Sequence, residues 1–187
     1  MTRPVLVCQG FQRAFIDVGS KTFSASASVR RGACEQILKR ARASGWITVH
    51  SFLETDALGV TGGASIEGFA PGRVESYFHQ RTLSAFGAPG FGEKLESLRG
   101  EPILLISLAG LGAIAATFLD GLELRLPIYI VVDAVADVSS AGVSEHERLA
   151  AIETIARAHG RQITSSELAS RIDLTSPLVH SLAHKEN

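Results

Sequence analysis

The chain has 187 residues and a mass of 19.8 kDa, enough for one domain with a real core and too little for two. Hydrophobic residues make up 45% and charged residues 20%, which excludes a disordered polyelectrolyte. Eighteen Lys and Arg against nineteen Asp and Glu leave a net charge of −1. No charge excess recruits nucleic acid or an anionic membrane surface, so neither is expected as a partner.

The two cysteines, Cys8 and Cys34, cannot build a disulfide framework and suit a reducing compartment. The opening Met1–Val5 carries one Arg, and its apolar run is broken at Gln9 and Gly10, too early for a signal peptide. Pro102 to Leu119 is uncharged and approaches a membrane span in length. Ser107, Gly110 and Gly112 interrupt it, with a β-like first half and an Ala-rich second half. A buried strand turning into a buried helix is expected there, in a soluble cytoplasmic protein.

Val5-Leu6-Val7-Cys8 is continuous and apolar, which predicts a fully buried strand. A Gly- and Ser-rich stretch follows from Gly19 to Ser28. Ala33, Ile37, Leu38 and Ala41 then mark the inner face of a helix that stops at Gly45. Trp46 to His50 is a second strand, and the three elements make a right-handed βαβ unit. Residues 54 to 74 hold five glycines and one proline and predict a long loop. Its Ile66, Phe69 and Pro71 are apolar enough to seek cover from a second copy, so a homo-oligomer is expected.

Tyr77-Phe78-His79 reads as a short strand and Phe91 to Leu98 as a short helix. Ile103–Ile106 is the next strand, Ala113 to Leu122 the next helix, and Pro127 to Val132 another strand. Glu145 to His159 forms a long helix with Leu149, Ile152, Ile155 and Ala156 on one side. Arg161 to Thr164 is a last strand, before a short helix opened by Ser165 and Ser166. Purely apolar strands alternating with helices predict one α/β domain over residues 1–187. Its three layers hold a parallel, Rossmann-like sheet of about six strands with helices on both faces. In such sheets ligands bind at the carboxyl ends of the strands.

Gly110-Leu111-Gly112-Ala113-Ile114-Ala115 lies between a strand and a helix and has the form G-x-G-x-x-A. Asp133 follows about 20 residues on, where a dinucleotide site places an acid for the ribose. Only the residues from Asp133 to Asn187 remain after it, too few to complete a dinucleotide domain and a substrate domain. A tight strand-to-helix turn explains the glycines without a cofactor, and none is expected.

Gln12-Arg13-Ala14-Phe15 after the first strand, Glu67 to Pro71, and Ser84-Ala85-Phe86 give the chain another likeness. So do Asp133-Ala134 at a strand end, Glu145-His146 and Thr164-Ser165. With these segments, nearly end to end, it resembles the isochorismatase-like cysteine hydrolases, which include nicotinamidases and N-carbamoyl-amine hydrolases. The resemblance implies three catalytic groups: an Asp after the first strand, a Lys before Ser-Ala-Phe, and a Cys at the helix start after the fourth strand. A carboxylate would take the thiol proton, an ammonium would tune that pair, and helix N–H groups would hold the oxyanion.

Counting from Gln12, Ser84 and Asp133, those positions hold Gly10, Gln80 and Ala113. A one-residue slip at the Lys position brings in Arg81, which could hold an anion but could not shuttle a proton. True isochorismatases resemble a branch without the Cys, yet they keep the Asp as a general acid. The resemblance therefore implies a hydrolase homologue without hydrolytic activity, keeping a reduced, mostly apolar pocket for a small-molecule ligand. Gln12, Phe15, Phe52, Arg81, Leu108 and Ala109 are expected to line it. A hydrolase of amides or vinyl ethers with relocated residues is the competing expectation, and a dinucleotide-binding module the third.

Cys8 in a strand and Cys34 in a first helical turn, far from the carboxyl edge, are expected to pack as small hydrophobes. His50 and His79 end strands and approach the edge, while His146, His159, His180 and His184 read as surface residues. This is too few ligands for a metal. Arg30, Arg31, Lys39, Arg40 and Arg42 read as a solvated helix face.

Overall fold

The apolar runs become buried strands in the computed structural model, which describes residues 3–58, 62–137 and 144–171. β1 (Val5–Gln9) and β4 (Ile103–Ser107) are buried at every position. β2 (Ile47–Leu53), β3 (Ser76–Gln80), β5 (Ile128–Val135) and β6 (Gln162–Ile163) complete a six-stranded sheet in the order β3-β2-β1-β4-β5-β6. Every pairing is parallel. The strand order reverses between β1 and β4, which makes their carboxyl ends the topological switch point.

Helices cover both faces. Leu6 and Cys8 of β1 pack with Cys34, Ile37, Leu38 and Ala41 of α1 (Ala25–Ala43) and Leu168 of α5 (Ser165–Arg171). Val5 and Val7 face the other layer, against α2 (Phe91–Glu96), α3 (Leu111–Glu123) and α4 (Glu145–Ala158). In α4, Ile152 and Ala156 are buried and Ile155 packs beside them, while the Leu149 side chain lies outside the described residues.

α1 starts earlier than the glycine- and serine-rich stretch suggested. Ser24 caps it, its hydroxyl accepting from the Ala27 N–H at 3.1 Å and donating to the Asp137 carbonyl. Gly45, at φ +66°, ends it and lets the Trp46 N–H reach back to the Ala41 carbonyl. Cys34 thus sits mid-helix, and its thiol donates to the Ala134 carbonyl at 3.4 Å. The expectation of a first-turn cysteine far from the carboxyl edge is corrected.

The segment 62–75 crosses the α1 face as a strap. Ile66 and Phe69 are buried within the chain, and Phe69 stacks on Phe11 at 4.9 Å. The Ile66 N–H binds the Phe11 carbonyl, and the Arg13 N–H binds that of Ala64. These apolar residues find their cover in their own core, contrary to the expectation that a second copy supplies it. The uncharged stretch splits into β4 and α3, and no helix of the described residues is long and apolar enough to cross a membrane.

Candidate functional site

The crevice expected at the switch point is closed by the backbone itself. Gly10 follows β1 at φ +69°, and the turn after β4 lies directly on it. A Cβ built on Gly10 would overlap the Ala109 Cβ and stand 2.9 Å from the Ala109 Cα and N. The Gly10 N–H donates to Ser51 O at 2.8 Å, and the Leu108 N–H to Gln9 O at 3.1 Å, so neither side of the contact is loose. Leu108 is fully buried in the α1-side core.

Beneath this contact runs a neutral hydrogen-bond network on the α3 face. The buried Gln9 amide donates to Thr117 Oγ1 at 3.0 Å and to the Leu83 carbonyl at 3.2 Å. Gln80, also buried, donates to the Thr82 and Leu83 carbonyls at 3.0 and 2.9 Å and accepts from the Ser51 hydroxyl. Thr117 accepts in turn from the Ala85 N–H at 2.9 Å. Among the described residues, only Gln9 Oε1 in this network lacks a partner. Ala113 is buried in the first turn of α3 and brings no heteroatom. Gly10, Gln80 and Ala113 therefore bring no side-chain acid, base or nucleophile here.

The pocket-lining expectation divides. Gln12 and Arg81 border an open cleft of about 900 Å³, displaced to the carboxyl ends of β2 and β3. Phe15, Leu108 and Phe52 are almost fully buried instead, and Ala109 packs over Gly10 and the core. These four fill space in the structure where open lining was expected. Gln12 is itself fully engaged: its amide binds Leu53 N–H, Leu53 O and Gly63 O, tying the cleft floor to the strap.

Sequence reasoning missed the cleft's ionisable members, Glu54 and Asp56, and the arrangement around His79. The His79 Nδ1 lies 3.0 Å from Glu54 Oε1, and the Arg81 Nε 3.6 Å from Glu54 Oε2. Such a dyad orients an imidazole, and Arg81 adds a mostly exposed positive charge. Among the described residues, no three of His, Cys, Asp or Glu stand where they could hold a metal ion.

His50 does not reach the cleft. It is fully buried on the α1 face, its Nε2 2.9 Å from Glu75 Oε2. Arg42 grips Glu75 with two bonds of 2.8 Å and holds the Gly68 and Ala70 carbonyls of the strap. Burial pulls His50 down against the raising effect of Glu75. Burial works to raise Glu75, but Arg42, the Gly72 N–H and His50 outweigh it and bring it from 4.5 to about 2. Arg42 is thus a strap anchor rather than part of a solvated helix face. Arg30 and Arg40 also reach backbone carbonyls, those of Asp133 and Ala169.

Asp133 is committed as well. Its carboxylate accepts from the Ser165 N–H at 2.7 Å and from the Ser165 hydroxyl, capping α5. That occupies the oxygens a ribose would need, and Gly110 serves as the entry to α3 at a positive φ of 97°. Cys8 and Cys34 are buried, and burial raises both thiols well above their ordinary value, so neither supplies a thiolate.

An all-parallel sheet in this order, covered by helices on both faces, defines a three-layer α/β protein of the doubly wound class. Residues 4–167 match the Isochorismatase domain family, and the chain belongs to that family. Its fold is similar to that of a cysteine hydrolase from Pseudomonas syringae, with 17% identity, a TM-score of 0.83 and coverage of 91% and 92% of the two chains. An isochorismatase family protein from Desulfovibrio vulgaris superposes at 0.77, with 19% identity and coverage of 92% and 100%. N-carbamoylsarcosine amidase from Thermoplasma acidophilum superposes at 0.70, with 21% identity and coverage of 89% and 98%. No curated protein sequence matches the chain.

Proposed function

We propose that this chain is a family member without hydrolytic chemistry at the switch point, and that its remaining ligand surface is the displaced cleft. The observation that carries the reading is the closed contact between Gly10 and Ala109, which leaves no room for a side chain at position 10. The neutral network through Gln9, Gln80, Ser51 and Thr117 supports it, because amide hydrolysis needs a positioned proton donor and acceptor. The cleft lined by Glu54, Asp56, His79 and Arg81 suits a small polar or zwitterionic molecule.

The test is turnover by purified protein on nicotinamide, N-carbamoylsarcosine and isochorismate. No rate above background is expected, since losing a nucleophile with its base removes about six orders of magnitude in related chemistry. Turnover that follows the protein through successive columns overturns the reading.

A second reading has one observation in its favour, the His79–Glu54 dyad in the cleft. It makes the protein a hydrolase with relocated residues. Activity that is abolished by both His79→Ala and Glu54→Gln, and left intact by Gln80→Asn, selects it over the first.

A further inference from the structure

We propose that the strap is an acid-released latch on the cleft: when the Glu75 carboxylate loses its partners, residues 62–75 lift from the α1 face and take one cleft wall with them. The head of the strap lines the cleft at Gly63. Its tail ends at Glu75, one residue before β3, whose His79 lines the same cleft. Among the described residues, every polar bond from the tail to another element passes through Arg42 or Glu75. Arg42 Nη1 and Nη2 donate to the Gly68 and Ala70 carbonyls at 3.1 and 2.8 Å, and Nε and Nη2 grip the two Glu75 oxygens. Glu75 Oε2 also accepts from the Gly72 N–H at 2.8 Å and stands 2.9 Å from His50 Nε2. Both carboxylate oxygens thus face N–H donors, and a proton on either would meet another hydrogen.

His50 imposes the same requirement. A carboxylate only accepts, so Nε2 carries the ring proton that binds Glu75. The ring is fully buried and its Nδ1 has no hydrogen-bond partner, so a second proton there would be stranded away from water. The latch therefore seats only with Glu75 ionised and His50 neutral. Burial already holds His50 below 6.5, and its partners bring Glu75 from 4.5 to about 2. The lifted strap takes up the His50 proton below pH 6.5 and the Glu75 proton below pH 4.5. Each such proton favours opening by up to about tenfold per pH unit.

The neighbouring titratable groups do not replace this pair. Cys8 of β1 lies in the field of Glu75 and Arg42, but burial raises its thiol well above the ordinary value and keeps it neutral. On the same sheet face the Phe52 ring stands between His50 and His79, at 6.1 and 5.7 Å. His79 and its partner Glu54 are half exposed and meet water whether the strap is seated or lifted. Glu67 and Arg73, the other charges of the strap, are exposed. The head carries the movement into the cleft. The Ile66 N–H binds Phe11 O at 3.0 Å and the Arg13 N–H binds Ala64 O at 2.9 Å, so the strap positions the backbone on both sides of Gln12. Gln12 in turn pins the cleft floor, accepting from the Leu53 N–H and donating to the Leu53 and Gly63 carbonyls. The inference rests on the cleft being the ligand surface, but the movement is read on backbone amides without a ligand, so either can fail without the other.

The experiment is amide hydrogen exchange by NMR on the full chain at pH 7 and at pH 4.5, the ordinary value of Glu75, each rate divided by that of an unstructured peptide at the same pH. Ile66, Phe69 and Gly72 report the strap, Leu53 the cleft floor through its bond to Gln12, and Val7 and Leu104 the central sheet. The expected result is that the strap amides and Leu53 lose protection together on acidification, by about tenfold or more. They should stay less protected than Val7 and Leu104 at both pH values, since the strap lifts while the sheet holds. His50→Gln keeps a donor towards Glu75 but cannot titrate, and should leave the strap protected with its acid response removed. A smaller loss in the wild type overturns the proposal, as does an undiminished response in folded His50→Gln. So does a strap as protected as the sheet, or a Leu53 that stays protected while the strap exchanges. If the variant does not fold, the wild-type comparison decides alone.

Discussion

At Gly10 a backbone angle and a neighbour act together. A side chain at φ +69° is strained by about 1–3 kcal/mol, and overlap with Ala109 adds about 1–3 kcal/mol of overpacking. Gly10→Ala should therefore lose roughly 2–6 kcal/mol in urea denaturation. Gly19, at φ +97° with nothing within 4 Å, isolates the strain alone. Equal losses for Gly19→Ala and Gly10→Ala would show that the turn at residue 109 gives way freely. The absence of an acid at position 10 was legible from the sequence, but the cause was not, because Gly10 and Ala109 meet only through the β1–β4 pairing. The same limit hid the anchor formed by Arg42 and Glu75. Glu75 is held below its ordinary value, so its contribution is complete above pH 4.5 and is lost as pH falls towards about 2. His50 is depressed by burial, so the unfolded chain protonates it first, and stability declines on acidification below about 6.5. Acid titration of the thermal midpoint should show both phases, and Glu75→Gln should remove the lower one. A midpoint flat from pH 7 to 3 is the contrary result.

Elements were legible where one physical signal dominated. β1 and β4 announced themselves by unbroken apolar runs, and α1 by the spacing of Ile37, Leu38 and Ala41 on its inner face. The first two turns of α1 were obscured because serine favours caps and turns in isolation. Here Ser24 satisfies both roles at once, accepting from Ala27 and donating to Asp137, and Ser26 accepts from the Asp137 N–H. Ser24→Ala should therefore cost about 1–2 kcal/mol, read from chemical denaturation. Ser28→Ala, exposed on the same helix, should stay within about 0.5 kcal/mol. Comparable losses at both positions would contradict the cap. The strap shows the converse case. Its glycines marked a loop correctly, but its burial depends on Phe11 and Arg42, which no local pattern connects to it.

For the whole molecule, the sheet order directs attention to the β1–β4 crevice, and there the chain is closed by the contact of Gly10 with Ala109. The resemblance located the place, and in the structure Gly10, Gln80 and Ala113 bring no side-chain acid, base or nucleophile to it. A variant carrying Gly10→Asp, Gln80→Lys and Ala113→Cys together should gain no turnover on N-carbamoylsarcosine and should be less stable than the parent. The new lysine would replace a fully satisfied amide, and the new acid would have to displace the turn at Ala109. Gln80→Lys alone should lose about 3–5 kcal/mol as a buried charge without a partner. Robust hydrolysis by the triple variant would mean that the crevice opens readily and still holds substrate.

The contact of Gly10 with the turn after β4 also sets the order in which this molecule can be changed. An acid at position 10 has no room until the segment carrying Ala109 has moved, and that segment is tied to Gln9 and Ser107 by its own backbone bonds. Trimming Ala109 to glycine removes only the Cβ and leaves the Cα and N at 2.9 Å. An acid restored alone at position 10, or a lysine alone at position 80, meets a folded state that rejects it. A designer seeking a hydrolase on this scaffold would therefore rebuild the loop at residues 108–110 first and install the reactive groups last.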